Sequence, residues 1–129
     1  MKRYIIAGSR EYTGWRLVDR AVKRSGFDIN LEEDVIVSGA ARGIDTVGEV
    51  WAEDMGLPVV RFPAKWETLG KSAGRRRNEE MAKYADALIA IWDGRSAGTK
   101  HMIDAATDEG LEVFVYYVGE MSFLNNIRG

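Results

Sequence analysis

The sequence predicts an α/β fold, a three-layer sandwich in which a mostly parallel five-stranded sheet carries helices on both faces. Two observations predict it. Apolar runs of strand length alternate with segments of helical period along the chain, the order that gives parallel strands joined by crossover helices. The loops leaving three of those strands are rich in glycine and small polar residues, as close strand-to-helix turns require.

In chain order, Tyr4-Ile5-Ile6-Ala7 is the first strand, and a helix follows with Trp15, Val18 and Val22 on one face and Gly26 at its close. Val35-Ile36-Val37 is the second strand. The next helix carries Ile44, Val47, Trp51 and Met55 and is closed by Gly56. Pro58 to Phe62 reads as the third strand, followed by a long loop through Lys65, Trp66 and Lys71. A third helix runs from about Gly74 to Tyr84 with Met81 and Ala85 facing in, and Ala87 to Trp92 is a fourth, continuously apolar strand. A fourth helix spans about Thr99 to Asp108, closed by Gly110, before the last strand at Val113 to Val118. No linker, low-complexity segment or repeat interrupts this order, so residues 1–129 are expected to form one domain. In the last ten residues Phe123, Leu124 and Ile127 have no partner segment and are expected to close over the domain or to meet a second chain.

Composition narrows the chemistry. At 129 residues the chain is long enough to bury roughly two-thirds of the surface its unfolded form exposes. Its net charge of -2 argues against a surface built to wrap duplex DNA or coat an anionic membrane, so anion binding must be local. There is no cysteine and a single histidine, His101, which removes thiolate sites and multi-histidine metal sites; no metal is expected. The N-terminal stretch is too short and too charged for a signal peptide, and no apolar run approaches a membrane span. A cytoplasmic location without membrane contact is expected.

In open parallel sheets ligands bind beyond the carboxyl ends of the strands, where the strand order reverses. Three loops are placed there: Gly8-Ser9-Arg10, then Ser38-Gly39-Ala40-Ala41-Arg42-Gly43 ahead of Asp45, and Asp93-Gly94-Arg95-Ser96-Ala97-Gly98-Thr99. Small residues let backbone amides approach a phosphate, and each following helix N-terminus adds partial positive charge. A second signal is Arg75-Arg76-Arg77-Asn78 in the first turn of the third helix, where the helix dipole disfavours cations. A broken local rule of this kind marks a site. An anionic ligand explains it, with Arg75 or Arg77 supplying the guanidinium, Asn78 beside it, and Trp66 free to stack on a base. His101 lies in the first turn of the fourth helix, next to the proposed phosphate loop. Asp45 reads as a possible acid, and foremost as a helix cap or a partner of Arg42.

Taken together, Gly8-Ser9-Arg10, Ser38 to Asp45, Phe62-Pro63-Ala64-Lys65-Trp66, Gly74 to Asn78 and Gly94 to Thr99 resemble the small SLOG-superfamily domains of bacteria and phages grouped around the YpsA type. The resemblance covers about residues 3–118 and leaves 119–129 as a tail. It implies a Rossmann-like domain binding a nucleotide or nucleotide-derived ligand, and it implies a homodimer. The superfamily includes the Lonely Guy phosphoribohydrolases, the DNA-processing protein DprA and sensors of NAD-derived signals. The Lonely Guy loop places a glutamate where this chain has Met102, while Gly98 and Thr99 match its phosphate-binding residues. Two functions follow as expectations: a binding or sensor module for a small phosphorylated ligand, and a nucleoside-phosphate N-glycosidase in which Asp93 and Arg77 act at the glycosidic bond. DprA-like proteins also bind single-stranded DNA, but one basic cluster in an acidic chain fits a small ligand better than a nucleic acid.

Overall fold

The computed structural model describes residues 1–119. Five strands, β1 (Arg3–Gly8), β2 (Val35–Ser38), β3 (Val59–Arg61), β4 (Ala87–Trp92) and β5 (Glu112–Tyr117), form one sheet in the order β3-β2-β1-β4-β5. Every pairing is parallel, so the expected mostly parallel sheet is wholly parallel among the described residues. The register runs Ile5 to Val37 on one side of β1 and Ile5 to Leu88 on the other.

The helices are α1 (Trp15–Ser25), α2 (Ile44–Asp54), α3 (Trp66–Leu69), α4 (Ala73–Tyr84) and α5 (Ala97–Asp108). Alternation along the central strands sorts the core into two layers. Tyr4, Ile6, Ile36, Ile89 and Ile91 face α1 and α2 and pack on Val18, Ala21, Ile44 and Trp51. Ile5, Ala7, Val37, Leu88 and Ala90 face the opposite way, onto Met81, Ala82, Met102 and Ala106 of α4 and α5. Each middle strand is covered on both sides, which is why it reads as a continuous apolar run.

One expected loop is structured. Residues 66–72 form the short helix α3 and a single 3-10 turn, Gly70–Ser72, leading into α4. Four residues are too few to display a 3.6-residue period, so sequence pattern passes over such a helix. The proposed roles of Phe123, Leu124 and Ile127 lie outside the described residues.

The two ends of the sheet are built differently. At the amino ends of the strands, Asp34 accepts the Lys2 amide at 2.8 Å and Asp86 accepts the Arg3 amide at 2.9 Å. These carboxylates satisfy donors that the first strand would otherwise leave open. At the carboxyl ends the loops open instead into a cleft. It lies where β1 meets β4, the point at which strand order reverses.

Candidate functional site

The cleft has a volume of about 560 Å3 and is bounded by the loops leaving β1, β2 and β4 together with α3 and the first two turns of α4. Among the described residues, six basic ones reach its wall: Arg10, Arg42, Lys71, Arg75, Arg77 and Arg95. Three acidic residues do so: Glu11, Asp45 and Asp93. A chain of net charge -2 thus concentrates a cationic excess in one concavity, which focuses potential on an incoming anion.

The most hydrogen-bonded part of the wall is a relay centred on Arg77, which is partly buried on α4. Its Nη1 donates to the Gly39 carbonyl, and its Nε donates to Asn78 Oδ1 at 2.9 Å. That bond fixes the orientation of the Asn78 amide. Asn78 Nδ2 then donates to the Gly98 carbonyl at 3.3 Å and to His101 Nδ1 at 3.2 Å. Because Nδ1 accepts, the proton of the neutral imidazole sits on Nε2. One arginine therefore ties the β2–α2 loop, α4 and the first turn of α5 into a single frame.

The helical pattern explains why this arginine turns inward. Asn78, Met81 and Ala82 are buried on α4, and Arg77 lies one turn before Met81 on that face. Arg75 also lines the cleft, nearer its rim. Both expected arginines are therefore present, and Arg77 is the one held by hydrogen bonds.

Asp45 sits at the second position of α2 and is only 5% exposed. Its Oδ2 accepts the Ala41 amide at 3.3 Å, and the Gly8 amide stands near enough to favour its charged form. Burial pushes its pKa up to about 6, against the opposing pull of Arg77 and those two amides, and Glu49 adds to the rise. Burial likewise draws the Arg77 guanidinium below its ordinary value; Asp45 opposes that change and Arg10 reinforces it. Asp45 and Arg77 crowd the same face of Gly39: a methyl group there would come within 2.7 Å of Asp45 Oδ2 and 2.8 Å of Arg77 Nη1. The carboxyl thus faces Arg77 from α4 rather than pairing with Arg42, the partner expected from sequence. Arg42 is exposed on the cleft rim.

Asp93 is used differently. It accepts the Arg95 and Ser96 amides at 2.8 Å each and the Ser96 hydroxyl at 3.1 Å. Burial acts to raise its pKa, but these donors outweigh it and hold the carboxyl below the usual range. The Asx turn it makes presents the first amides of α5, whose first turn has neither an acidic residue nor a side-chain cap. Such an N-terminus favours an anion. Thr99 is buried in that turn, and Met102 forms apolar floor at the position where the Lonely Guy loop has its glutamate.

Of the residues expected at the site, Gly8, Ser9, Arg10, Arg42, Asp45, Trp66, Arg75, Arg77, Asn78, Asp93, Ser96, Gly98 and Thr99 line the cleft. Ser38, Gly39, Gly43 and Gly94 stand behind its wall. The Ser38 hydroxyl donates to Glu49 Oε2 at 2.6 Å and accepts the Ala40 amide at 3.0 Å, bracing a loop in which Ala40 adopts a left-handed φ of 58°. The Gly39 carbonyl holds Arg77. Gly43 has φ +78° and lies so close to the β1–α1 loop that a methyl group would meet Arg10 Cα at 2.5 Å. Gly94 belongs to the turn that Asp93 closes. Trp66 is 49% exposed, with the Arg10 guanidinium 5.8 Å from its ring centre. Sequence reasoning passed over Arg95 as a lining residue; its place in the glycine-rich loop was the available signal.

Residues 3–68 match the model of the YAcAr family, described as the YspA, cpYpsA-related SLOG family. The Gene 61 protein of Mycobacterium phage D29 is 35% identical over 123 residues, which cover 88% of this chain and 94% of the phage protein. The chain belongs to this SLOG family. A solved structure of DNA processing protein A (DprA) from Streptococcus pneumoniae matches with a TM-score of 0.67 at 21% identity, over 99% of this chain and 54% of that one. This chain therefore spans about half the length of that one, and at that identity the likeness is one of fold. No helix of the described residues is long and apolar enough to cross a membrane.

Proposed function

We propose that the cleft of this SLOG domain binds a phosphorylated nucleoside or a ligand derived from one, as a binding or sensor module. The observation that carries the reading is the meeting of Arg77, held in place from both sides, with the uncapped N-terminus of α5 in a basic cleft at the strand-order reversal. In this reading the amides of Ala97 to Thr99 receive the phosphate, Arg77 and the rim cations neutralise its charge, and Trp66 offers a face to a base. In this reading the phosphorylated ligand is the small-molecule partner. A small ligand suits cations that converge on one concavity. Single-stranded DNA would call for a basic track continuing along the surface with several stacking aromatics, and the likeness to DprA is one of fold.

A second reading, N-glycosidic hydrolysis of a nucleoside phosphate, is favoured by one feature: a buried carboxyl, Asp45, whose pKa near 6 suits acid–base work at neutral pH. Asp93, the carboxyl first considered for that role, is occupied by three donors of its own loop. Its effect on turnover would pass through the position of α5.

Both readings meet one experiment. Melting curves are recorded with nucleoside mono-, di- and triphosphates, NAD, ADP-ribose and cyclic nucleotides, and each mixture is then chromatographed for free base. A ligand at a hundred times its Kd adds about 2.7 kcal/mol of stability. The double variant Arg77→Ala, Thr99→Ala should lose that shift. A shift with intact ligand supports the binding module, whereas released base supports the hydrolase. If no compound shifts the melting point, or the double variant shifts as the wild type does, this reading of the cleft is wrong.

A further inference from the structure

Asp45 is the least expected group in an anion-binding cleft. A carboxylate there repels a phosphate, and burial makes its charge costly to hold. It is 95% removed from solvent yet stands on the cleft wall. An ionised carboxyl offers about four acceptor sites. The Ala41 amide takes one of them, and the Gly8 amide stands near enough to favour the charged form. The nearby guanidinium of Arg77 is directed at the Gly39 carbonyl and Asn78 Oδ1. Acceptor capacity therefore remains, in a place where little water reaches it, beside the cation that would hold a phosphate.

We propose that Asp45 is a specificity-determining residue that accepts hydrogen bonds from sugar hydroxyls, so that the cleft selects ribonucleotides over 2′-deoxyribonucleotides and over phosphate-only anions. The inference rests on the reading of the cleft as a nucleotide site. Its physical basis is an asymmetry. A hydroxyl donor gives a carboxylate with spare acceptor capacity a partner, whereas a ligand lacking that hydroxyl covers it without one. A site built this way rejects the deoxy ligand far more strongly than it rewards the hydroxyl in solution. Phosphate-only anions gain from Arg77 but are opposed by the charge of Asp45.

Selection of this kind should depend on pH. The charged groups acting on the carboxyl are Arg77 on α4 and Glu49 one turn along α2, and Arg10 on the β1–α1 loop acts in turn on Arg77. Glu49 is itself held by Ser38 and Arg61. Asp45 titrates near pH 6, so it is mainly an acceptor at pH 7.5 and mainly protonated at pH 5. Protonation removes both the charge repelling anions and the strong acceptor for hydroxyls. The ribose preference should shrink, and phosphate-only anions should bind better, as pH falls through 6.

The test is titration calorimetry at pH 7.5 and pH 5 with the four ribonucleoside 5′-monophosphates, their 2′-deoxy counterparts and pyrophosphate. For the wild type at pH 7.5, the best-bound ribonucleotide should exceed its deoxy form by about 10- to 100-fold. In Asp45→Asn the ratio should fall to about threefold or less, while pyrophosphate binds more tightly than to the wild type. A residue that only shapes the loop would weaken all three ligand types together. Equal affinity of the wild type for the ribo and deoxy forms, or the same ratio in Asp45→Asn, would overturn the proposal. The wild-type comparison and its pH dependence stand even if the variant does not fold. Binding of pyrophosphate and of both sugars alike would sink this inference and leave the nucleotide site standing. Absence of binding by every anion would sink both.

Discussion

Asp45→Asn should make the folded chain more stable relative to the wild type as pH rises, and the size of the effect follows from the burial of one carboxyl. The ordinary pKa is 3.8 and the folded one about 6, a separation of roughly 2.2, worth about 3 kcal/mol at 1.36 kcal/mol for each pH unit. The sign is set by proton binding. Between pH 4 and 6 the folded state holds the Asp45 proton while the unfolded state has released it, so wild-type stability falls as pH rises across that window. Above pH 6 both states are ionised and the loss is complete. Asparagine cannot ionise, so the variant lacks this loss.

The comparison is best made as a difference of differences. Placing an amide nitrogen near the Ala41 and Gly8 amides carries its own cost, and other titrating groups change stability in both proteins. Both contributions cancel when the gap between variant and wild type at pH 7 is compared with the gap at pH 4. Urea denaturation at several pH values, followed by circular dichroism and extrapolated with a shared slope, gives those gaps. The variant should gain about 2–3 kcal/mol on the wild type between pH 4 and pH 7. A gap constant within about 0.5 kcal/mol would show that the carboxyl is not held out of water, and the argument for its unmet acceptors would go with it.

Other perturbations separate scaffold from site. Gly43→Ala should lower stability by about 2 kcal/mol or more in thermal denaturation, because φ +78° disfavours a side chain and the methyl would meet Arg10 Cα at 2.5 Å. Leu88→Ala removes a side chain with no exposed surface from the central strand and should cost about 3 kcal/mol in the same assay, with no specific effect on ligand affinity at a temperature where the fold persists. Trp66→Ala should change stability by less than about 1 kcal/mol, since the ring is half exposed and held mainly by Arg10. Its effect should appear in calorimetry as weaker nucleoside phosphate binding, with pyrophosphate binding much less altered.

The parts of the fold legible in the sequence were those written as period. Ala87 to Trp92 is apolar at every position because both faces of β4 are covered, and the helices announced themselves through pairs such as Val18 and Val22. The 3-10 turn and α3 escaped because they are shorter than the pattern that would reveal them. The site was legible as a set of loops, since parallel topology sends the carboxyl ends of β1, β2 and β4 to one edge. Its wiring was not. Arg77 meets the Gly39 carbonyl 38 positions away, and Asn78 meets His101 across two helices; no spacing rule encodes such contacts. The face of α4 that carries Met81 did contain enough information to prefer Arg77 over Arg75. Asp45 looked like a helix cap because its position in the first turn of α2 suits one. Its burial against a cation from another element is a tertiary property.

Three departures from ordinary folding preference meet at this one edge of the sheet. Cations occupy the first turn of α4, the N-terminus of α5 lacks both a cap and an acid, and a carboxyl is buried at the start of α2. Each costs the fold stability. An anion would offset the first two, and a hydroxyl donor attached to that anion would relieve the third. The amino edge of the same sheet shows the contrast: there Asp34 and Asp86 are spent on closing backbone donors. One ligand carrying phosphate and sugar together would thus answer all three at this edge.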